Sequence, residues 1–318
     1  MKFDSRVPEL RVDTDGFVAT AIRAYLEQPH KALHQVILAE MTQAFRRTVV
    51  RQLMQGREDR AGYESTTLYS GPCARKARLT FDGCERDQLQ ARTLLKFLLG
   101  DIVELSVLGI AKLAGKQIGA NNIDLTIMGR DGVAVPVHPD GLLDEGAAQY
   151  NLEIKSCDSR TFDRWVAEGG PNDDWGYRTQ ASVEIQAWRE AGYAINDTCF
   201  VAVSTGSRQG SIGEWIVPFE PKKVEAWHER RAQRQRVAIP MVPFRSVPET
   251  KFSRGKPRFD DGTRTVRADK NGKVYGYETL TGRAQLPVQC GYCDYKITGG
   301  CWPNAGMEMK DGTPVWIT

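Results

Sequence analysis

The order of hydropathy patterns along the chain predicts an α/β fold, a central mixed sheet flanked by helices. Three observations carry this. Apolar residues recur at spacings of three and four over residues 17–54 and again over 91–114, the period of a helix with a buried face. From residue 123 to 154 the pattern shortens to brief apolar runs broken by Gly- and Asp-containing turns, the mark of short strands. Beyond residue 177 a helical segment is followed at once by the apolar run 199–203. Helix, antiparallel strands, helix, strand is an order that layers helices on a sheet.

The elements follow in turn. Ala21, Ala24 and Tyr25 mark the first helical stretch, and Val36, Ile37 and Met41 continue it. Pro29 lies between them and cannot sit inside a helix without losing a hydrogen bond, so two helices are expected. A turn-rich stretch then runs to Leu68-Tyr69-Ser70-Gly71-Pro72-Cys73-Ala74-Arg75-Lys76. Residues 91–114 form the strongest helix, interrupted by Gly100 and Gly109 and closed by Gly115 at its C-terminal cap. Residues 123–127 and 133–137 read as strands joined by the turn Gly129-Arg130-Asp131-Gly132. Residues 152–154 belong to a third strand, entered after Asp144-Glu145-Gly146. A helix over 177–191, strands over 199–203 and 214–218, and a basic helix over 221–237 follow. The last eighty residues, rich in Gly, Pro and charge, are expected to hold little regular structure. The expected division is an N-terminal helical segment over 1–60, a core over 61–239 and a basic, cysteine-rich tail over 240–318 that closes onto the core.

Composition narrows the class. The chain has 318 residues, 41% hydrophobic and 26% charged, as an ordinary globular protein does. No apolar run approaches the roughly 18 residues of a membrane span, and Met1-Lys2-Phe3-Asp4-Ser5 lacks the apolar core of a secretory signal. A cytoplasmic location with no membrane partner is expected. In that setting seven cysteines read as metal ligands and buried thiols rather than disulfides. The net charge of +3 is unevenly spread: residues 222–273 carry 15 Lys or Arg against 6 Asp or Glu, a balance of +9 that leaves −6 elsewhere. A basic segment beside an acidic body suits a protein that grips a polyanion and binds metal ions, although a solvated charged surface has the same composition. Arg230, Arg231, Arg234 and Arg236 are the candidate contacts to such a polyanion.

The chemistry concentrates in Val137-His138-Pro139-Asp140-Gly141-Leu142-Leu143 and Asn151-Leu152-Glu153-Ile154-Lys155-Ser156. Alternate residues of a strand share a face, so Glu153 and Lys155 project together while Leu152 and Ile154 face the core. Such charges are costly on an interior strand unless a metal or a partner meets them. Asp140, at the end of the preceding strand, would come alongside Glu153 in a hairpin. Two carboxylates are hard oxygen ligands for Mg²⁺ or Mn²⁺. A bound ion acidifies water and neutralises phosphate charge, and Lys155 can orient the water or stabilise developing negative charge. His138 is either a further metal ligand or a structural histidine at the strand end.

These residues resemble the PD-(D/E)xK nuclease superfamily, and His138-Pro139-Asp140-Gly141 with Leu152-Glu153-Ile154-Lys155 looks like its lambda-exonuclease and RecB-like branches. The resemblance implies a restriction-endonuclease-like core and a Mg²⁺- or Mn²⁺-dependent deoxyribonuclease. It also implies an acidic residue on the preceding helix, four after a glycine, which is Glu104 of Gly100-Asp101-Ile102-Val103-Glu104, with Asp101 as the other choice. Tyr177 and Gln180 match a Tyr or Gln pair on the helix after the catalytic strand, where they would contact the DNA backbone or the ordered water. The implied metal ligands are Glu104, Asp140 and Glu153, with His138 as the further candidate. A DNA exonuclease of recombination, repair or phage DNA processing is the expected function, with a protein partner in such a complex. A non-catalytic nucleic-acid-binding or assembly protein and an endonuclease within a larger complex are the alternatives.

Cys290-Gly291-Tyr292-Cys293 followed by Cys301 gives C-x2-C-x7-C, and a C-x2-C pair brings two thiolates onto one ion or cluster. Cys73, Cys84, Cys157 and Cys199 remain as sources of a fourth ligand. The stretch around Cys73 and residues 287–302 resemble the iron–sulfur nucleases, including the CRISPR-associated adaptation nucleases. That resemblance implies a [4Fe–4S] cluster on Cys73, Cys290, Cys293 and Cys301. The gap before Cys301 is longer than usual there, and four thiolates also suit Zn²⁺.

Overall fold

The computed structural model describes residues 16–28, 34–53, 64–71, 73–86, 91–119, 123, 125–206, 211–233, 248–254, 264–268, 271, 273–284, 306–310 and 313–317. The chain divides into two compact units, one of Met1–Cys84 with Gln88–Ile239 and one of Glu85–Asp87 with Pro240–Thr318. The N-terminal helices do not stand apart as a separate segment; they pack within the first unit.

Helices α1 (Phe17–Glu27) and α2 (Gln35–Leu53) flank the break expected at Pro29. The first three amides of α1 have no partners within the helix. Phe17, Val18 and Ala19 donate them to the Glu214 carboxylate, at 2.8, 2.8 and 2.9 Å. Gly16 passes so close to Glu214 that a Cβ there would overlap it. Two short helices, α3 (Thr66–Ser70) and α4 (Ala74–Phe81), occupy part of the stretch expected to be turns, and α5 (Ala91–Leu113) follows.

The central sheet has five strands in the order β1 (Gln117–Gly119), β4 (Gly141–Asp144), β5 (Gln149–Cys157), β6 (Asp197–Ser204) and β7 (Ile212–Pro218). All neighbours are antiparallel except β5 and β6. Parallel neighbours need a long crossover, which α6 (Ser159–Glu168) and α7 (Tyr177–Glu190) provide. The strands over 123–137 form a separate hairpin, β2 (Leu125–Met128) with β3 (Ala134–Val137), inserted between β1 and β4. Asp140 therefore stands at the start of β4, not at the end of the strand that closes at Val137.

Strand alternation sends Leu152 and Ile154 into a core with Val18, Ile22, Val107, Leu108, Ile118, Cys199 and Val201, beneath α1 and α5. The opposite side of the sheet is covered by α7, whose residues Thr179 to Ile185 are all buried. Helix α8 (Pro221–Gln233) packs beyond it, with Trp188, Trp227 and Tyr69 in the core between. Phe162 and Trp165 of α6 close a third cluster on Phe200 and Trp215. Among the described residues no helix is long and apolar enough to cross a membrane.

The second unit departs from the expected lack of structure. It holds a three-stranded antiparallel sheet of β8 (Pro248–Arg254), β10 (Val274–Ala284) and β9 (Arg264–Ala268), and a hairpin of β11 (Gly306–Lys310) with β12 (Thr313–Ile317).

Candidate active site

The β4–β5 register pairs Gly141 with Leu152, and one step further sets Asp140 opposite Glu153. The Asp140 carboxylate is anchored there by the Ile154 amide, which donates to Oδ2 at 2.7 Å. Glu153 is fully buried and Lys155 half-buried on the same face. Lys155 Nζ forms an ion pair with Glu153 Oε1. The other oxygen, Oε2, accepts from Gln180 Nε2 at 3.3 Å.

The hairpin and α7 thus gather three carboxyl groups, Asp140, Glu153 and the fully buried Glu184, around one ammonium. Burial, and then the Glu184 charge, push Glu153 up to about 8, with Lys155 opposing. Burial and the Asp140 charge push Glu184 up to about 7. Asp140 is raised by burial and by Glu153, against the pull of Lys155 and the Ile154 amide. Burial alone would lower Lys155, but Glu153 and Asp140 outweigh it and hold the ammonium above its usual range. The cluster therefore holds three carboxyl groups against one ammonium.

A divalent cation would relieve that imbalance. Among the described residues no group of three or more His, Cys, Asp or Glu side chains forms a ready metal site. Mg²⁺ commonly keeps several waters and uses only one or two carboxylates, and Asp140 with Glu153 fits that donor count. The link to α5 runs through Asp101, whose charge reaches Asp140. Gly100, next to it, faces the Ser156 hydroxyl, 3.4 Å from where a Cβ would sit. Glu104 is half-buried about one turn further along α5, and His138 is exposed just beyond β3.

Tyr177 opens α7 and packs on Trp165 and Phe200, with ring centroids 5.6 and 6.1 Å away. Lys155 Nζ lies 5.9 Å from its ring. Burial raises its phenol. Two residues of the site carried no individual signal in the sequence. Asn151 shares the face of Glu153 and donates to Glu184 Oε2 at 2.9 Å. Glu184 lies one turn beyond Gln180 on α7.

Arg231 differs from the expected phosphate contact. It is 2% exposed and spends its guanidinium on Asp131 at 2.6 Å and Glu64 at 2.7 Å. Arg230 is half-buried and donates to the Tyr69 carbonyl at 2.7 Å. Arg234 and Arg236 lie outside the described residues, as do Cys290, Cys293 and Cys301.

Cys73 is half-buried at the N-cap of α4, where Sγ accepts from the Lys76 amide at 3.4 Å. Cys84 is half-buried. Burial and Asp158 push the Cys157 thiol up to about 12, and burial also raises Cys199 in the α1–α5 core. Thiols so raised resist becoming the thiolates that bind metals.

No family model matches the chain, and no curated protein matches it. Among solved structures it is similar to a chain described as the crystal structure of SSO0001, at 12% identity and a TM-score of 0.39, over 62% of this chain and 88% of that one.

Proposed function

We propose that the protein is a metal-dependent DNA nuclease of the PD-(D/E)xK type, an exonuclease acting in recombination, repair or phage DNA processing. The observation that carries this reading is the grouping of half-buried Asp140 and Lys155 with fully buried Glu153, in which the Ile154 amide anchors Asp140 and Lys155 pairs with Glu153. Asp140 and Glu153 would hold Mg²⁺ or Mn²⁺, which when bound acidifies water and offsets phosphate charge. In the hydrolysis the water oxygen bonds phosphorus and the P–O bond to one deoxyribose breaks. The water's proton passes to solvent and the leaving oxygen takes one up, giving a phosphate monoester and a hydroxyl. Lys155 supplies the fixed positive charge that meets negative charge building on the phosphate. Gln180 orients the water, and Tyr177 walls the Lys155 side. Basic residues after α8, Arg234 and Arg236 among them, would grip the DNA backbone, and a [4Fe–4S] cluster or Zn²⁺ on Cys73, Cys290, Cys293 and Cys301 would staple the chain.

The test is cleavage of end-labelled duplex with free and with blocked ends, in Mg²⁺, Mn²⁺ and EDTA. Metal-dependent loss of label from free ends alone is expected. Equal cutting of blocked DNA would make the enzyme an endonuclease, and no cutting in either metal would overturn the reading.

A further inference from the structure

Glu184 is fully buried beside Glu153, and the hydrolysis outlined above gives it no part. Its surroundings are polar and ordered. The Trp188 indole donates to Asn151 Oδ1 at 3.0 Å, which sets the direction of the Asn151 amide. Asn151 Nδ2 then donates to Glu184 Oε2 at 2.9 Å and to Thr198 Oγ1 at 3.1 Å. Glu184 Oε1 accepts from Gln180 Nε2 at 2.9 Å, and the same nitrogen reaches Glu153 Oε2 at 3.3 Å.

Gln180 is thereby held between two carboxylates by its amide nitrogen. With both groups ionised, a flipped amide would turn its carbonyl oxygen toward both of them, so this orientation is the one the ionised site requires. Among the described residues no donor reaches that carbonyl oxygen. It is left as an acceptor beside the Asp140–Glu153–Lys155 group.

We propose that Glu184 and Asn151 are positioning residues of the cleavage centre, locking Gln180 so that its nitrogen steadies Glu153 and its carbonyl oxygen accepts a hydrogen bond from the attacking water. This rests on the phosphodiesterase reading above. Glu184→Gln is the informative change because it nearly keeps shape. Asn151 and Gln180 donate to different oxygens of Glu184, and a glutamine puts an NH₂ donor at one of those two positions, so it cannot accept at both. Trp188 and Thr198 hold Asn151, and the mismatch falls on Gln180.

Two measurements test this. In metal-free protein labelled with ¹⁵N at Asn, Gln and Trp side chains, Glu184→Gln should speed hydrogen exchange of the Gln180 amide while the Trp188 indole stays protected. In cleavage assays Glu184→Gln should lower kcat about 10²-fold, the size expected when a reacting group is misplaced. Adding it to Gln180→Ala should cost nothing more, because both act through one amide. Asn151→Ser, which removes the other support of Glu184, should repeat the pattern. Unchanged Gln180 exchange in Glu184→Gln, or additive losses in the double variant, would overturn the proposal. A wild-type chain with a protected Gln180 amide but no cleavage would overturn the nuclease reading on which it stands.

Discussion

Arg231→Ala separates a structural arginine from a DNA contact. The Arg231 side chain is 3% exposed and joins Glu64, 9% exposed, to the tip of the β2–β3 hairpin through Asp131. Removing it strands the Glu64 carboxylate in the interior with the Tyr69 hydroxyl at 2.8 Å. Losing one member of a buried ion pair typically costs about 3–5 kcal/mol. At about 2–4 °C per kcal/mol for a unit of this size, the melting temperature should fall by roughly 10 °C. Calorimetry reads this directly, and DNA titration below the new transition should give an unchanged affinity. Replacing both partners, Arg231→Met with Glu64→Leu, should recover much of the loss because no buried charge remains unpaired. An unshifted melting temperature with DNA binding about tenfold weaker, as loss of a charged contact would give, would refute the reasoning and return Arg231 to the DNA surface.

The remaining predictions follow from the same geometry. Charge reversal at Arg234 and Arg236 should weaken DNA binding and reduce the slope of log K against log salt by roughly one per lost phosphate contact. Glu153 and Glu184 have folded values raised to about 8 and about 7, so folding takes up protons. Metal-free protein should then be most stable near pH 5 and lose stability as pH rises through 7 to 8. Saturating Mn²⁺ should flatten that loss, and Glu153→Gln should shrink it; denaturant melts at pH 5 and pH 8 in EDTA that show the opposite slope would contradict this. Glu214→Ala should free the first turn of α1 and cost about 2–4 kcal/mol, since each charge-assisted hydrogen bond contributes about 1.5–3 kcal/mol and some would be replaced by water. Anaerobic protein should be brown with about four irons per chain if the cysteines hold a cluster. Cys73→Ser should bleach it, whereas Cys199→Ser should leave the colour intact.

Much of the first unit is readable from periodicity. Residues 91–114, 177–191 and 199–203 carry strong helical or apolar patterns, and α5, α7 and β6 lie there. Helix α6 has both of its end signals, Asp158 accepting from the Thr161 amide at the N-cap and Gly169 at φ 75° at the C-terminus. Its apolar residues are few enough to hide between β5 and α7. Strand β4 is only four residues long and follows Pro139, so the apolar pattern favours the stronger run ending at Val137 as the hairpin partner. The strands of the second unit escaped because charged residues interleave with their apolar ones, a pattern that composition reads as loop. At the site, Glu153 and Lys155 are legible because charge on an interior strand demands a reason. Asn151 is not, since its partners Glu184, Trp188 and Thr198 come from elements remote in sequence. The partners that bury Arg231 are equally remote, so local charge counting could not tell it from a surface arginine.

The most direct test of the central claim is the rate at which purified protein releases nucleotides from end-labelled DNA in Mn²⁺, compared with Asp140→Ala, Glu153→Ala and Lys155→Ala after each is shown to be folded. Each substitution should slow release by at least about 10²- to 10³-fold, the typical cost of one lost electrostatic contributor, with the two carboxylates costing most. Near-normal release by Glu153→Ala would contradict the account.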